Sequence, residues 1–250
     1  MKYIYAGDRD ISVEILKFMM ERGFNPSALL ISERGRASHA DELIELSGLS
    51  PEYIFEGKLF SQAENISKLK AIGAKYIIGI HFPYIIPQEV LDIPSIGFLN
   101  LHPAYLPFNK GWHTPSWAIL DDTPYGATLH FMSMELDCGD IIHQKLLKVN
   151  PDDTAHTLYQ RVKNLEVEVF KEAFPALVNN PARVKQIEDG TIHSKKELSA
   201  MQELQLNDLM KVSDILKRLR ALTTNKTTEA AYFVDEGKKY YVQVTVTPEF

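Results

Sequence analysis

An α/β fold on a mostly parallel sheet is the architecture this sequence predicts, and three observations carry it. Short apolar runs alternate with longer amphipathic stretches through the N-terminal part of the chain, the order that builds a parallel sheet covered by helices on both faces. The runs, such as Tyr76-Ile77-Ile78-Gly79-Ile80, are apolar throughout, as strands buried on both sides must be. Further on, two strand-like segments are joined by a short turn and the chain closes on a hairpin signal. An antiparallel or mixed edge and a small appendage are expected from that change.

Each element has its own local signal. Residues 2–6 read as a first strand, 12–22 as an amphipathic helix capped by Ser12, and 27–32 as a second strand. A helix over 39–46 stops before Gly48; 53–56 is a short strand, 63–72 a helix and 75–80 a buried strand. The apolar run 96–101 is the next strand, with 125–132 and 140–149 after it. Thr154 opens a long helix with its hydroxyl as cap, running to about Phe174, where Pro175 breaks or kinks it. A helix over about 206–222 then leads to strands 229–234 and 239–246, which alternate around Asp235-Glu236-Gly237. Two strands alone are marginal in water, so this hairpin must pack on the body or on a second subunit.

Composition bounds the function. At 250 residues, 45% apolar and 24% charged, the chain can bury the core of one catalytic domain plus a small extension. No stretch approaches a membrane span, and the first strand begins at Lys2 without a signal peptide, so a cytoplasmic protein is expected. A net charge of −6 argues against broad nucleic-acid binding, which needs basic surface; an acidic nucleotide needs only a few cations in one pocket. The eight histidines show no HxxxH spacing and there is no CxxC, so no metal site is expected.

The most informative residues are Asn100 and His102. Period-two alternation puts both on one face at the carboxyl end of the apolar strand, where open α/β sheets bind ligands. Two readings fit: a pair that caps loop backbone, or an amide and an imidazole that hold an oxyanion and pass a proton. The next loop, Pro103 to Trp112, is punctuated by two prolines and a glycine and has no core periodicity. The strand after it carries His130 and leads into Leu136-Asp137-Cys138-Gly139-Asp140.

Taken together, Asn100-x-His102-Pro103, Leu106-Pro107 with Lys110-Gly111, Thr128-Leu129-His130-Phe131 and Leu136-Asp137-x-Gly139-Asp140-Ile141-Ile142 resemble the signature of the folate-dependent formyltransferases. Several linked motifs in one order are far more specific than any one alone. The resemblance implies a Rossmann-like, mostly parallel formyltransferase fold over residues 1–185, with 186–250 as a small helix and β-hairpin extension for dimerisation. It implies 10-formyltetrahydrofolate as co-substrate and carries the family's catalytic set onto Asn100, His102 and Asp137. In that mechanism Asn100 and His102 donate to the developing oxyanion while Asp137 holds charge on His102 and helps move the amine proton. Cys138 takes a place where small residues are common in the family loop, so a structural role is favoured over a nucleophilic one.

The same resemblance assigns other positions. The segment Ile80 to Pro87 lines the pterin slot in the family, which makes His81, Phe82 and Tyr84 folate neighbours, along with Asp137; periodicity alone would place Phe82, Ile85 and Ile86 in the core. The first turn, Ala6-Gly7-Asp8-Arg9, lacks GxGxxG and fits a nicotinamide site poorly. Arg9 there reads either as a diphosphate partner or as a solvated loop residue. By their position in the loop after His102, and not by the resemblance, Tyr105, Lys110 and Trp112 are assigned to the acceptor, and His113 is a further candidate. His130 reads as a structural residue in preference to a catalytic one, and Arg218 and Arg220 as a solvated or interfacial helix face in preference to diphosphate ligands.

The short carboxyl extension looks like that of the sugar N-formyltransferases acting on dTDP-linked amino-dideoxy sugars, several of which are dimers. It is much smaller than the barrel of methionyl-tRNA enzymes. The expectation is therefore a homodimeric enzyme formylating a nucleotide-linked amino sugar for surface polysaccharide, with dTDP-4-amino-4,6-dideoxyglucose as acceptor. Two alternatives stay open: a glycinamide-ribonucleotide-type or hydrolytic folate enzyme, and a catalytically silent nucleotide-sugar binding module.

Overall fold

The computed structural model describes residues 1–35, 39–187 and 189–249. The first half of the chain builds β1 (Tyr3–Gly7), α1 (Asp10–Met20), β2 (Ala28–Ile31), α2 (Ala40–Ser47), β3 (Ile54–Glu56), α3 (Ala63–Ile72), β4 (Tyr76–Ile80), the single turn α4 (Gln88–Leu91) and β5 (Gly97–His102). The second half adds β6 (Lys110–Gly111), α5 (Thr114–Leu120), β7 (Gly126–Phe131), β8 (Ile141–Leu146), α6 (Ala155–Val178), β9 (Ile192–His193), α7 (Lys195–Ala200), α8 (Val212–Leu222), β10 (Ala231–Asp235) and β11 (Lys238–Val242).

The central sheet has seven strands in the order β3-β2-β1-β4-β5-β7-β8. The first five strands pair in parallel, and the apolar runs predicted to be buried on both faces are so: β1, β2 and β4 are buried at every residue. Ile4, Ala6, Leu30, Ile77 and Phe98 enter one core cluster with Phe55, Phe60 and Leu69. At β8 the bonds Phe131 N–H to Asp140 C=O and Leu147 N–H to Tyr125 C=O run in opposite senses along the two strands, which makes this edge antiparallel.

Two compact units divide the chain. The first comprises Met1–His102, Leu129–His143 and Glu166–Gln186, and the second Pro103–Thr128, Gln144–Leu165 and Ile187–Phe250. In the first, Phe18 packs edge-on against Phe170 and Phe174, with ring centroids 6.4 and 5.4 Å away. In the second, β6 pairs with β9, and a small cluster of Trp117, Leu198, Leu222 and Ala231 joins α5, α7, α8 and β10.

Several element boundaries differ from expectation for local reasons. The first helix begins at Asp10, so Ser12 is not its cap. Its hydroxyl instead donates to the Ile80 carbonyl at 2.7 Å and accepts the Asp8 N–H at 3.1 Å, tying the β1–α1 turn to the end of β4. Thr154 does cap α6, accepting the Thr157 N–H at 3.3 Å. Pro175 does not end that helix, which runs on to Val178. So near the terminus it forfeits a single backbone bond, and Asn179 donates its side-chain amide to the Pro175 carbonyl.

The late helix starts at Val212 rather than near 206, because a turn from Gln205 to Asp208 precedes it. The closing hairpin is present but shorter, and its loop is the two residues Glu236 and Gly237, both with positive φ (46° and 76°). That is the type I′ geometry that matches strand twist.

Candidate active site

Sheet register decides where the chemistry gathers. Gly7 lies opposite Ile80, and Ile80 opposite Leu101, so the carboxyl ends of β1, β4 and β5 share one edge. Strand order reverses between β1 and β4, and that switch point is where open α/β sheets leave a crevice. Arg9 stands there, exposed, at the N-cap of α1. His81 comes directly after β4, and His102 is the last residue of β5.

The loop after β7 brings Asp137 to the same place. Asp137 has a positive φ of 54°, and its carboxylate lies 3.6 Å from His102 Nε2 and 3.7 Å from His130 Nε2. All three side chains are at least nine-tenths buried. Two features hold the loop. Gly139 sits so tightly that a Cβ would meet the Phe131 carbonyl oxygen at 1.7 Å, and Gln186 donates its amide to the carbonyls of both Asp137 and Gly139 at 2.8 Å. The Cys138 thiol donates to the Leu136 carbonyl.

The Asn100 amide points at His130, with Nδ2 3.3 Å from Nε2. An amide nitrogen only donates, so this Nε2 accepts and the ring proton sits on Nδ1, which donates to the Phe131 carbonyl at 2.8 Å. Burial pushes the His130 pKa down to about 4, against the opposing pull of Asp137. His130 is therefore uncharged near neutrality, and the Asp137 carboxylate directs its charge at His102. At 3.6 Å that pair is longer than a hydrogen bond; in many such sites the bond tightens only around substrate.

The segment after β4 splits its side chains. Phe82 and Tyr84 are half-buried, with ring centroids 5.0 Å apart and both packed edge-on to Phe60. Ile86 joins the core, while Ile85 is 95% exposed, so only part of the apolar pattern was core. The His81 ring turns to Glu166, whose two oxygens lie 2.9 and 3.0 Å from Nε2.

Three of the proposed acceptor residues belong to the second unit. Tyr105 and Lys110 are half-buried and Trp112 is about half exposed, with Lys195 over its indole face. Thr191 and His193 hold this stretch through backbone bonds from Lys110 and Trp112. His113 takes a left-handed φ of 57° as N-cap of α5, and burial lowers its pKa. Arg218 donates to the carbonyls of Met201 and Glu203, and Arg220 to those of Asp153 and Asn150. Both guanidiniums brace backbone carbonyls.

A family model described as formyl transferase matches residues 24–174, and one described as N-formyltransferase dimerization C-terminal domain matches 197–248. The chain belongs to the formyl transferase family. Among curated relatives, this formyltransferase is 30% identical over 175 residues to the dTDP-4-amino-4,6-dideoxyglucose formyltransferase of Mycobacterium tuberculosis, covering 69% of this chain and 74% of the relative. Among solved structures it resembles a 4-N formyltransferase from Francisella tularensis, with a TM-score of 0.82 at 24% identity and 99% coverage of both chains. It also resembles the N-formyltransferase of Helicobacter canadensis in complex with folinic acid and dTDP-3-aminofucose, with a TM-score of 0.69 at 20% identity, over 96% of this chain and 86% of the other. These structural likenesses confirm the predicted fold.

Two residues of this formyltransferase escape a reading by motif. Gln186 carries no sequence signal, because its partners are carbonyls of a distant loop. Glu166 does carry one. It interrupts the i, i+4 ladder Leu158, Val162, Phe170 and Phe174 of α6 and is wholly buried.

Proposed function

We propose that this protein transfers the formyl group of 10-formyltetrahydrofolate to the amine of a dTDP-linked amino-dideoxy sugar, with dTDP-4-amino-4,6-dideoxyglucose as the acceptor. The observation that carries the reading is the convergence of Asn100, His102 and Asp137 on one strand end, beside an uncharged His130. The acceptor assignment is supported by the 30% identity to an enzyme named for that sugar.

In this mechanism the neutral acceptor amine attacks the formyl carbon, a C–N bond forms, and the carbonyl electron pair moves onto oxygen. Asn100, its amide oriented by His130, and protonated His102 donate to that oxygen as charge builds. Asp137 accepts the proton the amine releases, directly or through water. Collapse breaks the bond to N10 of the folate, N10 takes a proton, and a formamide and tetrahydrofolate leave. Phe82, Tyr84 and the backbone from His81 onward form the folate side in this reading. Arg9, Tyr105, Lys110 and Trp112 are assigned to the acceptor.

We further assign residues 186–250 to homodimerisation. The match of residues 197–248 to a dimerisation domain supports this, as do the exposed apolar side chains of Leu209, Val212, Leu216, Tyr240 and Tyr241. Among the described residues no helix is long and apolar enough to cross a membrane.

A panel of dTDP- and UDP-linked amino sugars, assayed with 10-formyltetrahydrofolate, tests the reaction directly. Formamide formation on the 4-amino dTDP sugar above all others is the expected result. Turnover of glycinamide ribonucleotide, or formate release without an acceptor, would replace the sugar assignment.

A further inference from the structure

Glu166 is a buried carboxylate that the formyl-transfer mechanism does not use. It is 0% exposed, midway along α6 and flanked at four-residue spacing by apolar side chains. A buried ion pair is in general no more stabilising than well-packed apolar residues of the same volume, so its place in this ladder calls for a reason beyond stability. Its partner supplies one. Both carboxylate oxygens converge on His81 Nε2, at 2.9 and 3.0 Å, and the imidazole itself is only 8% exposed.

His81 is also a backbone outlier. Its φ of 52° lies in the left-handed region, which costs a side-chain-bearing residue about 1 kcal/mol or more. The residue is fixed on both sides: Ser12 holds the preceding Ile80 carbonyl at 2.7 Å, and Glu166 holds the ring. This turn sets the path of the next five residues. Phe82 and Tyr84 pack on Phe60, the Tyr84 hydroxyl accepts the Glu33 N–H at 3.2 Å, and Ile86 enters the core.

We propose that Glu166 is a positioning residue for the folate-facing segment, anchoring His81 in the left-handed turn that swings residues 82–86 out of β4. The ligand in this inference rests on the folate reading above; the positioning itself does not. With Nε2 committed to Glu166, the segment meets a pterin through its backbone and the Phe82 and Tyr84 rings. Glu166 then acts at a distance on folate affinity, and the acceptor's affinity does not depend on it.

The test uses Glu166→Leu, Glu166→Gln and the double variant His81→Gly with Glu166→Leu. Glycine takes a positive φ without an anchor, so the double variant removes both the strain and the need for the carboxylate. Tetrahydrofolate binding by calorimetry, acceptor KM at saturating folate, and amide hydrogen exchange over residues 81–86 without ligand are measured on the full chain.

Glu166→Leu should bind tetrahydrofolate about tenfold more weakly, as expected if only about a tenth of molecules keep the competent turn. Its 81–86 amides should exchange faster while acceptor KM stays within about twofold, and the double variant should recover most of the lost affinity. If Glu166→Leu does not fold, Glu166→Gln and the double variant decide by the same readouts. Unchanged exchange and binding in folded Glu166→Leu overturn the proposal, as does a weakening in either single variant that the double variant fails to relieve. If the wild type binds no tetrahydrofolate, the folate reading falls and the exchange measurement alone judges the positioning.

Discussion

The Asn100 side-chain amide donates to Nε2 of His130 across 3.3 Å, and this bond orders the protonation of the whole cluster. Because Nε2 accepts, the proton of His130 is on Nδ1 and goes to the Phe131 carbonyl. A buried, neutral imidazole thus orients the amide and leaves the Asp137 charge to His102. Replacing His130 with Gln keeps an acceptor; replacing it with Leu removes one. The Leu variant should lose on the order of tenfold or more in kcat while Gln loses less, since misoriented donors forfeit transition-state stabilisation.

The same histidine makes stability depend on pH. Its folded pKa is about 4 against an ordinary value of 6.5, so between these values the unfolded chain binds a proton that the native state refuses. Stability therefore falls as pH drops from 6.5 towards 4, by a few kcal/mol in all, and the loss is complete below about 4. Burial of His113 acts in the same direction. Urea unfolding from about pH 4 to about pH 7 should show a shallower pH dependence for His130→Gln than for the wild type; equal slopes would contradict a neutral buried His130.

Asn100→Ala, His102→Ala and Asp137→Asn should each lower turnover by about a hundredfold or more, the usual cost of one oxyanion donor or its orienting group. Their thermal unfolding should stay close to that of the wild type. Near-normal turnover from His102→Ala would sink the catalytic assignment.

Gly139→Ala asks for space that is absent, with the Phe131 carbonyl oxygen 1.7 Å from the new Cβ. The loop must move, and Asp137 with it. Activity should drop at least as far as in Asp137→Asn, with a destabilisation of about 1–3 kcal/mol, read by denaturant unfolding. Wild-type activity in this variant would show that the loop geometry is not required.

The hairpin turn offers a gain instead. Glu236 sits at φ 46° in a type I′ loop, a conformation that asparagine adopts at lower cost. Glu236→Asn should raise stability by a few tenths of a kcal/mol, about 0.5 at most, and Gly237→Val should lower it. If residues 186–250 form a dimer contact, Gly237→Val should also shift light-scattering mass towards the monomer.

His193 stacks on Trp117 at 3.8 Å with a 5° tilt and pairs with Asp121 and Glu197 at 2.9 and 3.1 Å. Its loss should cost about 1–2 kcal/mol, since an aromatic stack and two charge contacts go together. The check is whether His193→Gln, which keeps hydrogen bonds but no ring stack, recovers only part of that stability in denaturant unfolding.

Much of the first unit was legible because its signals are local. The apolar runs of β1, β2 and β4 could only be strands buried on both faces, and Gly48 and Gly73, at φ 62° and 66°, end α2 and α3 where glycine permits a left-handed turn. α5 was harder. Its residues from Thr114 to Ile119 are all buried, so no amphipathic stripe appears, and Pro115 near its start was the remaining signal. α7 carried a capping box in Ser194 and Glu197, which a search for [ST]-x-x-[DE] finds.

The sequence by itself carried the resemblance to the formyl transferase family, because Asn100, His102 and Asp137 stand in ordered motifs that are read along the chain and do not depend on distance. It also determined the sheet, since hydrophobic period and turn residues are properties of neighbours along the chain. Tertiary structure alone decided that Ser12 ties α1 to β4, that His130 is the acceptor for Asn100, and that a carboxylate from α6 holds the turn after β4. Each of these joins residues far apart in sequence, the last pair by 85 positions. Partner choice for a buried polar group is set by which backbones the packing brings together, and no local pattern encodes that.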